Sequence, residues 1–239
     1  MRIGSVVNLH TANRFTAIGQ PLMIAGMSFS FILVIGIVAN LATGGQNLVD
    51  MYNGMVWNGA IFALLGPLMG IGIAAMTQYF PLATGFGLTR NEFSRGTSLV
   101  FIANAVFFSI IVTVGKMLEE VTEGWGLHIR FFNVVYTGTG PAWQTLVQTF
   151  LLILAFMFVG AAITTVFNRW GQLGLWLVLL AFTLVTVAGG ALAFLNDSFA
   201  SWLFSLLSMG WAPWMGVLLA VGVVAATIWA VLVRRAQAR

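Results

Sequence analysis

The chain has no cysteine, two histidines and six acidic residues among 239. Without cysteine there is no disulfide, no thiolate metal site and no cysteine nucleophile. Charge of either sign is scarce. Asp, Glu, Lys and Arg together make up 7%, where a soluble domain carries about 25%, so a water-facing surface cannot be built from this chain. His10 and His128 both lie outside the apolar runs, which excludes haem ligation inside a bilayer. Ser28 and Ser30 lie in an apolar run with no histidine or lysine at their depth, so no activated serine is expected. No carboxylate pair lies within a run, against a proton-coupled carrier. No GxxxxGK[ST] phosphate loop is present, so the chain is not expected to bind ATP itself. Glu119, Glu120 and Glu123 crowd one helix end beside Lys116. They read as a solvated cluster, because calcium needs several convergent oxygens. No catalytic residue, metal or cofactor is therefore expected on this chain.

What the sequence does have is hydrocarbon. Sixty per cent of it is apolar, 60% counting Ala through Tyr, and the mean hydropathy is +0.99. Crossing roughly 30 Å of hydrocarbon takes about 18 or more apolar residues. Six runs qualify, at about 18–41, 55–76, 98–118, 143–166, 173–195 and 214–233. This predicts an all-α membrane protein with residues 1–239 as a single transmembrane domain. Lys116, at the end of the third run, is expected to snorkel outward.

The net charge of +4 would point to nucleic acid in a soluble protein, but the placement of the bases reads as topology. Arg2, Arg14, Arg90, Arg95, Arg169, Arg234, Arg235 and Arg239 fall in alternate segments, with only Glu92 among them. The other segments carry Asp50, Glu119, Glu120, Glu123 and Asp197, with Lys116 and Arg130. The positive-inside rule puts the first set, and both termini, in the cytoplasm.

The first apolar run starts too late and runs too long for a cleaved signal. Residues 1–16 read as an interfacial helix, with Ile3, Val6, Val7 and Phe15 toward lipid and Arg2, His10 and Arg14 toward water. Trp57, Trp143, Trp170, Trp176, Trp211, Trp214 and Trp229 read as interfacial anchors. Gly66 and Gly70 form a GxxxG step, and Gly216, Ala220 and Gly222 a second small-residue face. The outer segment from Glu119 to Ala142 is rich in Phe131, Phe132, Val134, Val135 and Tyr136, and is expected to pack on the helix ends. Ser198–Pro213 is apolar but too short to span, which predicts a re-entrant or interfacial hairpin. Polar residues within the runs, Asn40, Asn58, Asn104, Thr113 and Gln148, are candidates to line a translocation path or to bond helix to helix.

One cytoplasmic segment runs Gln78-Tyr-Phe-Pro-Leu-Ala-Thr-Gly-Phe-Gly-Leu-Thr-Arg-Asn-Glu-Phe-Ser-Arg-Gly-Thr97. Pro81 and the glycines should break the second helix, and Thr89-Arg-Asn-Glu92 has the form of a capping box opening a short helix. Phe80-Pro81, Ala83, Gly85, Gly87, Thr89-Arg90, Phe93 and Gly96 resemble the FPxAxGxGxTRxxFxxG segment of bacterial ABC-2-type transporter permeases, particularly actinobacterial ones. Glu120-Val-Thr-Glu-Gly-Trp-Gly126, followed by Phe131-Phe132, is similar to their outer loop. Glu123 departs from that pattern, where a glycine or other small residue is expected.

The resemblance implies the permease subunit of an ATP-driven exporter of type V architecture in the bacterial cytoplasmic membrane. It implies a coupling helix between spans two and three, with Leu88, Thr89, Arg90, Asn91, Glu92, Phe93 and Arg95 at the interface with the ATPase. Phe93 would be its apolar anchor, with Arg90 and Arg95 as charged partners. Two ATPase subunits holding ATP and Mg, and a second permease chain, identical or not, would complete the transporter. The cargo would be a hydrophobic or amphipathic compound: a drug, antibiotic peptide, lipid or glycan precursor. The alternative is a membrane subunit that captures a ligand or partner without export.

Overall fold

A computed structural model of the chain describes residues 2–44, 48–207 and 211–235. Among these the fold is helical, without a strand. Lipid offers the backbone no hydrogen-bond partner, and a helix satisfies its peptide groups within its own segment. The helices are α1 (Arg2–Thr11), α2 (Gln20–Thr43), α3 (Leu48–Gly54), α4 (Phe62–Ala74), α5 (Phe80–Gly85), α6 (Arg90–Val121), α7 (Ala142–Leu195), α8 (Asp197–Leu207) and α9 (Trp211–Arg235). A π-helical turn over Phe15–Gly19 leads into α2, and another over Ala75–Tyr79 joins α4 to α5. Pro81 consequently falls in the first turn of α5, where its missing N–H costs nothing. The rod ends beyond it, at Gly85, and Gly87 (φ 74°) makes the turn.

Among the described residues, five stretches are long and apolar enough to cross a membrane: Phe15–Thr43, Val49–Gly85, Arg90–Val121, Ala142–Leu195 and Trp211–Arg234. The protein is thus a multi-pass, all-helical membrane protein. The fourth and fifth apolar runs both fall within α7, which has 54 residues. Gly171 interrupts its helical path with φ 66°, ψ −156°, a conformation only glycine adopts readily.

Tertiary contacts sort the chain into two ends. At one, Asn168 donates to the Met76 carbonyl at 3.2 Å and Arg90 to the Arg234 carbonyl at 2.6 Å. At the other, Asn40 reaches the Leu127 carbonyl, and the rings of Trp143 and Trp211 meet at 4.9 Å. Asn196 breaks the chain after α7 and its side chain accepts from the Phe199 N–H at the start of α8. The region expected to be a hairpin therefore begins as this 11-residue helix; residues 208–210 and the tail residue Arg239 lie outside the described residues.

The core is built by α4, α6 and the first half of α7. Leu68, Ala75, Met76, Phe101, Ala105, Phe108, Ile153, Met157 and Ala161 are buried there. Trp229 of α9 is only 1% exposed; it stacks with Phe101 and Phe158, and its indole N–H points to Met76 Sδ at 3.2 Å. It is a core residue and not an interfacial anchor, because α9 crosses the core at that depth. Trp57, Trp143, Trp170, Trp176 and Trp214 are exposed. So are long apolar faces of α2 and of α7 beyond Gly171, such as Met27, Phe31, Phe182 and Val185. Water would not tolerate a patch of that size, but a bilayer does.

The close crossing of α4 and α7 uses glycines other than the GxxxG pair. A Cβ on Gly72 would overlap the Met157 carbonyl, and one on Gly160 would overlap that of Met69. Gly66 and Gly70 have open space where a Cβ would stand. Gly72→Val and Gly160→Val are each expected to destabilise by about 1–3 kcal/mol or more through overpacking, whereas Gly66→Ala and Gly70→Ala stay near neutral. Thermal unfolding in detergent micelles reads the difference.

Candidate functional sites at the two ends of the bundle

At the arginine-bearing end the capping box forms. Thr89 Oγ1 accepts from the Glu92 N–H at 3.3 Å, and Glu92 Oε2 accepts from the Thr89 N–H at 2.8 Å. It opens the 32-residue α6 and not a separate short helix, since nothing after Glu92 breaks the helical path before Val121. The short helix of this segment is α5. Thr89, Arg90, Asn91 and Arg95 are exposed, while Leu88 and Glu92 are half-buried. Phe93 is fully buried, edge-on to Phe80 at 5.2 Å. It cannot serve as a surface anchor, because it lies on the face of α6 that packs inward. The apolar side chains on the outside are Leu82 and, above all, Phe86, which is 76% exposed. Phe86 stands between Gly85 and Gly87, where the chain turns and offers no helix face to lie against. That placement was the available signal in the sequence.

The N-terminal helix is present as α1 and packs on α6. Val6 is fully buried over Gly96, where an added Cβ would come within 2.6 Å of the valine Cβ. His10 is buried too, contrary to the expectation that it faces water. Its Nε2 lies 3.1 Å from Thr97 Oγ1, and its ring tilts against Tyr79 at 4.4 Å. Burial lowers its pKa from the usual 6.5 to about 4. The docked helix thus holds a neutral imidazole. As pH falls below 6.5 the free helix takes up a proton that the docked helix does not. Docking should weaken from about pH 6.5 downward, by about 2 kcal/mol at pH 5, and level off below about 4. Protease accessibility of residues 2–14 across this range measures it, and His10→Asn should flatten the response.

At the other end an irregular segment, residues 122–141, folds over the helix ends. Its aromatic and aliphatic side chains pack as expected: Ile129, Phe131 and Val134 are buried, and Phe132 and Phe131 meet the ring of Phe29. Of the three acids, Glu120 and Glu123 are exposed as expected, but Glu119 is not. Glu119 is fully buried. Its Oε2 accepts from Phe131 N and Phe132 N, both at 2.9 Å, and from Trp125 Nε1 at 3.2 Å. Its Oε1 accepts from Asn133 N at 3.0 Å. Lys116, expected to snorkel, is 1% exposed. Its ammonium donates to the Gly138 carbonyl (2.9 Å), the Gly140 carbonyl and Thr145 Oγ1 (3.0 Å), and lies 3.6 Å from Glu120. Both groups turn inward because the segment's unpaired backbone groups lie on that side.

The polar residues considered as path-lining have other partners. Asn40 donates to Leu127, Asn58 to Arg130 and Gln148 to Val135 and Tyr136, all carbonyls of the segment 122–141. Asn104 and Thr113 donate to carbonyls of their own helix, Val100 and Ser109. Arg130 is tied down as well, donating from Nε to the Tyr52 carbonyl at 3.0 Å with its guanidinium 3.9 Å from the Tyr52 ring centre. Among the described residues no group of three or more His, Cys, Asp or Glu is placed to hold a metal.

Removing the Glu119 carboxylate would strand three buried N–H groups. Glu119→Ala is expected to cost about 3 kcal/mol or more and to expose Arg130 to trypsin. Limited trypsinolysis with thermal unfolding measures both; Glu119→Gln, which keeps one good acceptor, should lie between. Compared with known proteins, the chain matches no family model, no curated protein and no solved structure.

Proposed function

We propose that this chain is the permease subunit of an ATP-driven exporter of the ABC-2 type, moving a hydrophobic or amphipathic compound across the bacterial cytoplasmic membrane. The observation that carries the reading is the exposed surface formed by Leu82, Phe86, Arg90, Asn91 and Arg95 within the segment resembling that family. An exposed apolar side chain followed by the exposed bases Arg90 and Arg95, where one membrane-length helix ends and the next begins, suits the docking of a cytoplasmic protein. The chain has no phosphate loop, so the energy would come from a separate ATPase holding ATP and Mg, present in two copies beneath two permease chains.

In this reading the chain crosses the bilayer six times, α7 contributing two crossings on either side of Gly171. Both termini lie in the cytoplasm, α1 rests at the interface, and α8 begins the outer re-entrant segment. The coupling surface is the turn from α5 into α6, not a free-standing helix. At 1.5 Å per residue, α6 is a rod of roughly 48 Å. It would carry movement of an ATPase at Arg90 to the outer segment tied to Lys116 and Glu119, as a rigid-body two-state change.

Purification in mild detergent, with identification of co-purifying chains, tests the reading. An ATPase of about 25–35 kDa in stoichiometric amount is expected. Phe86→Asp with Arg90→Glu should release it and abolish substrate-stimulated hydrolysis, while the chain still inserts in the membrane. An intact chain that brings down no ATPase would favour the capture-subunit alternative, and retention by the double variant would sink the coupling surface.

A further inference from the structure

Three crevices open on the sides of the bundle, and two are lined by hydrocarbon alone. The third differs. A groove of about 430 Å³ runs between α6 and α9, walled by Ser94, Ser98, Phe158, Val223, Ala226, Thr227, Trp229 and Arg234, among others. Its floor is firm, since Phe158 and Trp229 are buried and in ring contact at 5.6 Å. Its mouth is fixed by the Arg90 hydrogen bond to the Arg234 carbonyl. From there the two helices run antiparallel, which puts Ser94 about one turn and Ser98 about two turns inward of that bond.

Three polar groups in the groove lack internal partners. Many helical hydroxyls in this chain donate back to a carbonyl one turn earlier, as in Ser30, Thr77, Thr113 and Thr227. Ser94 and Ser98, four residues apart on one face of α6, make no hydrogen bond among the described residues. The exposed Arg234 guanidinium likewise has no carboxylate or hydrogen-bond partner there. A cation with two hydroxyl donors matches a phosphate monoanion. Beyond them the walls, apart from Thr227 whose hydroxyl is bonded within α9, are apolar back to Val223, eleven positions before Arg234 and roughly 16 Å along the helix, which is half of a hydrocarbon core of about 30 Å. A free phosphate would gain nothing from those walls.

We propose that this groove binds an anionic phospholipid from the leaflet at the arginine-bearing end. Arg234, Ser94 and Ser98 hold the phosphate, and one acyl chain lies over Phe158 and Trp229. Basic pockets between membrane helices recognise lipid headgroups by this combination. The inference rests on the orientation given under the proposed function, but not on ATP-driven export; loss of the ATPase partner leaves the lipid measurement standing.

Native mass spectrometry of the full chain, released from nanodiscs of phosphatidylglycerol and phosphatidylcholine in equal amounts, tests it. Wild-type protein should retain one phosphatidylglycerol in preference to phosphatidylcholine. Arg234→Gln should lower that retention about fivefold. Ser94→Ala with Ser98→Ala should lower it too, with little risk to folding, and Ala226→Trp, which fills the groove, should abolish it. Arg95→Gln, outside the groove, should leave it unchanged. Equal retention of the two lipids, equal losses in Arg234→Gln and Arg95→Gln, or retention that survives Ala226→Trp would overturn the proposal. Displacement of the lipid by glycerol phosphate alone would also overturn it, by marking a site for soluble phosphate.

Discussion

The Glu119 carboxylate holds together the part of this protein that is not helical. Residues 129–133 lie on the helix ends with extended or irregular backbone, and their N–H groups face away from water. Three of those groups, with the Trp125 indole, converge on this one side chain. A buried carboxylate is costly unless its lone pairs are filled, and a buried N–H is costly unless it finds an acceptor; each removes the other's penalty. The carbonyls of the same segment are shared among Asn40, Asn58, Lys116 and Gln148. N–H groups go to an acid and carbonyls to amides and an ammonium, so a largely irregular segment finds partners for its backbone. The arrangement also offsets strain. Glu123, Trp125 and His128 all have positive φ, which costs a non-glycine residue about 1–3 kcal/mol. The left-handed turn at Glu123 is the physical reason that a glycine would be expected there.

Because Glu119 and Lys116 belong to the same helix that begins at the capping box, the two ends of the protein share one rod. Its N-terminus carries the exposed arginines and holds α1 through Gly96 and Thr97. Its C-terminus holds the segment 122–141. Between them Phe101, Ala105 and Phe108 lie buried against the first half of α7. A displacement at one end therefore has no soft element to absorb it before the other. By contrast, α2 and the second half of α7 bury few side chains and are the parts of the bundle most open to lipid or to another chain.

Much of the architecture was legible in the sequence because it depends on sums. Apolar runs of sufficient length mark every long helix among the described residues, the Thr89–Glu92 spacing marks the start of α6, and the aromatic content of 131–136 marks a segment packed on the helix ends. The particular errors share a cause. The sequence puts Phe93 and His10 at the surface, Lys116 among the headgroups, Glu119 in water and Trp229 at the interface. Each is a choice of which face of a helix turns inward. In a soluble helix, alternation of polar and apolar residues reveals that face. In α2 and α4 the outward face is as apolar as the inward one, and in α6 the charged Lys116 and Glu119 themselves turn inward, so the polar pattern does not mark the buried face.

By itself, then, the sequence determined that the chain is a helical membrane protein, where its long helices lie, and which segments carry the bases and which the acids. Those follow from hydration cost, which depends on composition along the chain. Only the tertiary structure decided that Asn40, Asn58 and Gln148 hold the segment 122–141, that Phe86 is exposed where Phe93 is not, and that Ser94, Ser98 and Arg234 share one groove. These depend on the rotation and crossing of helices. In a bilayer, close packing and the satisfaction of a few polar groups set that rotation, and both act between residues far apart in the chain.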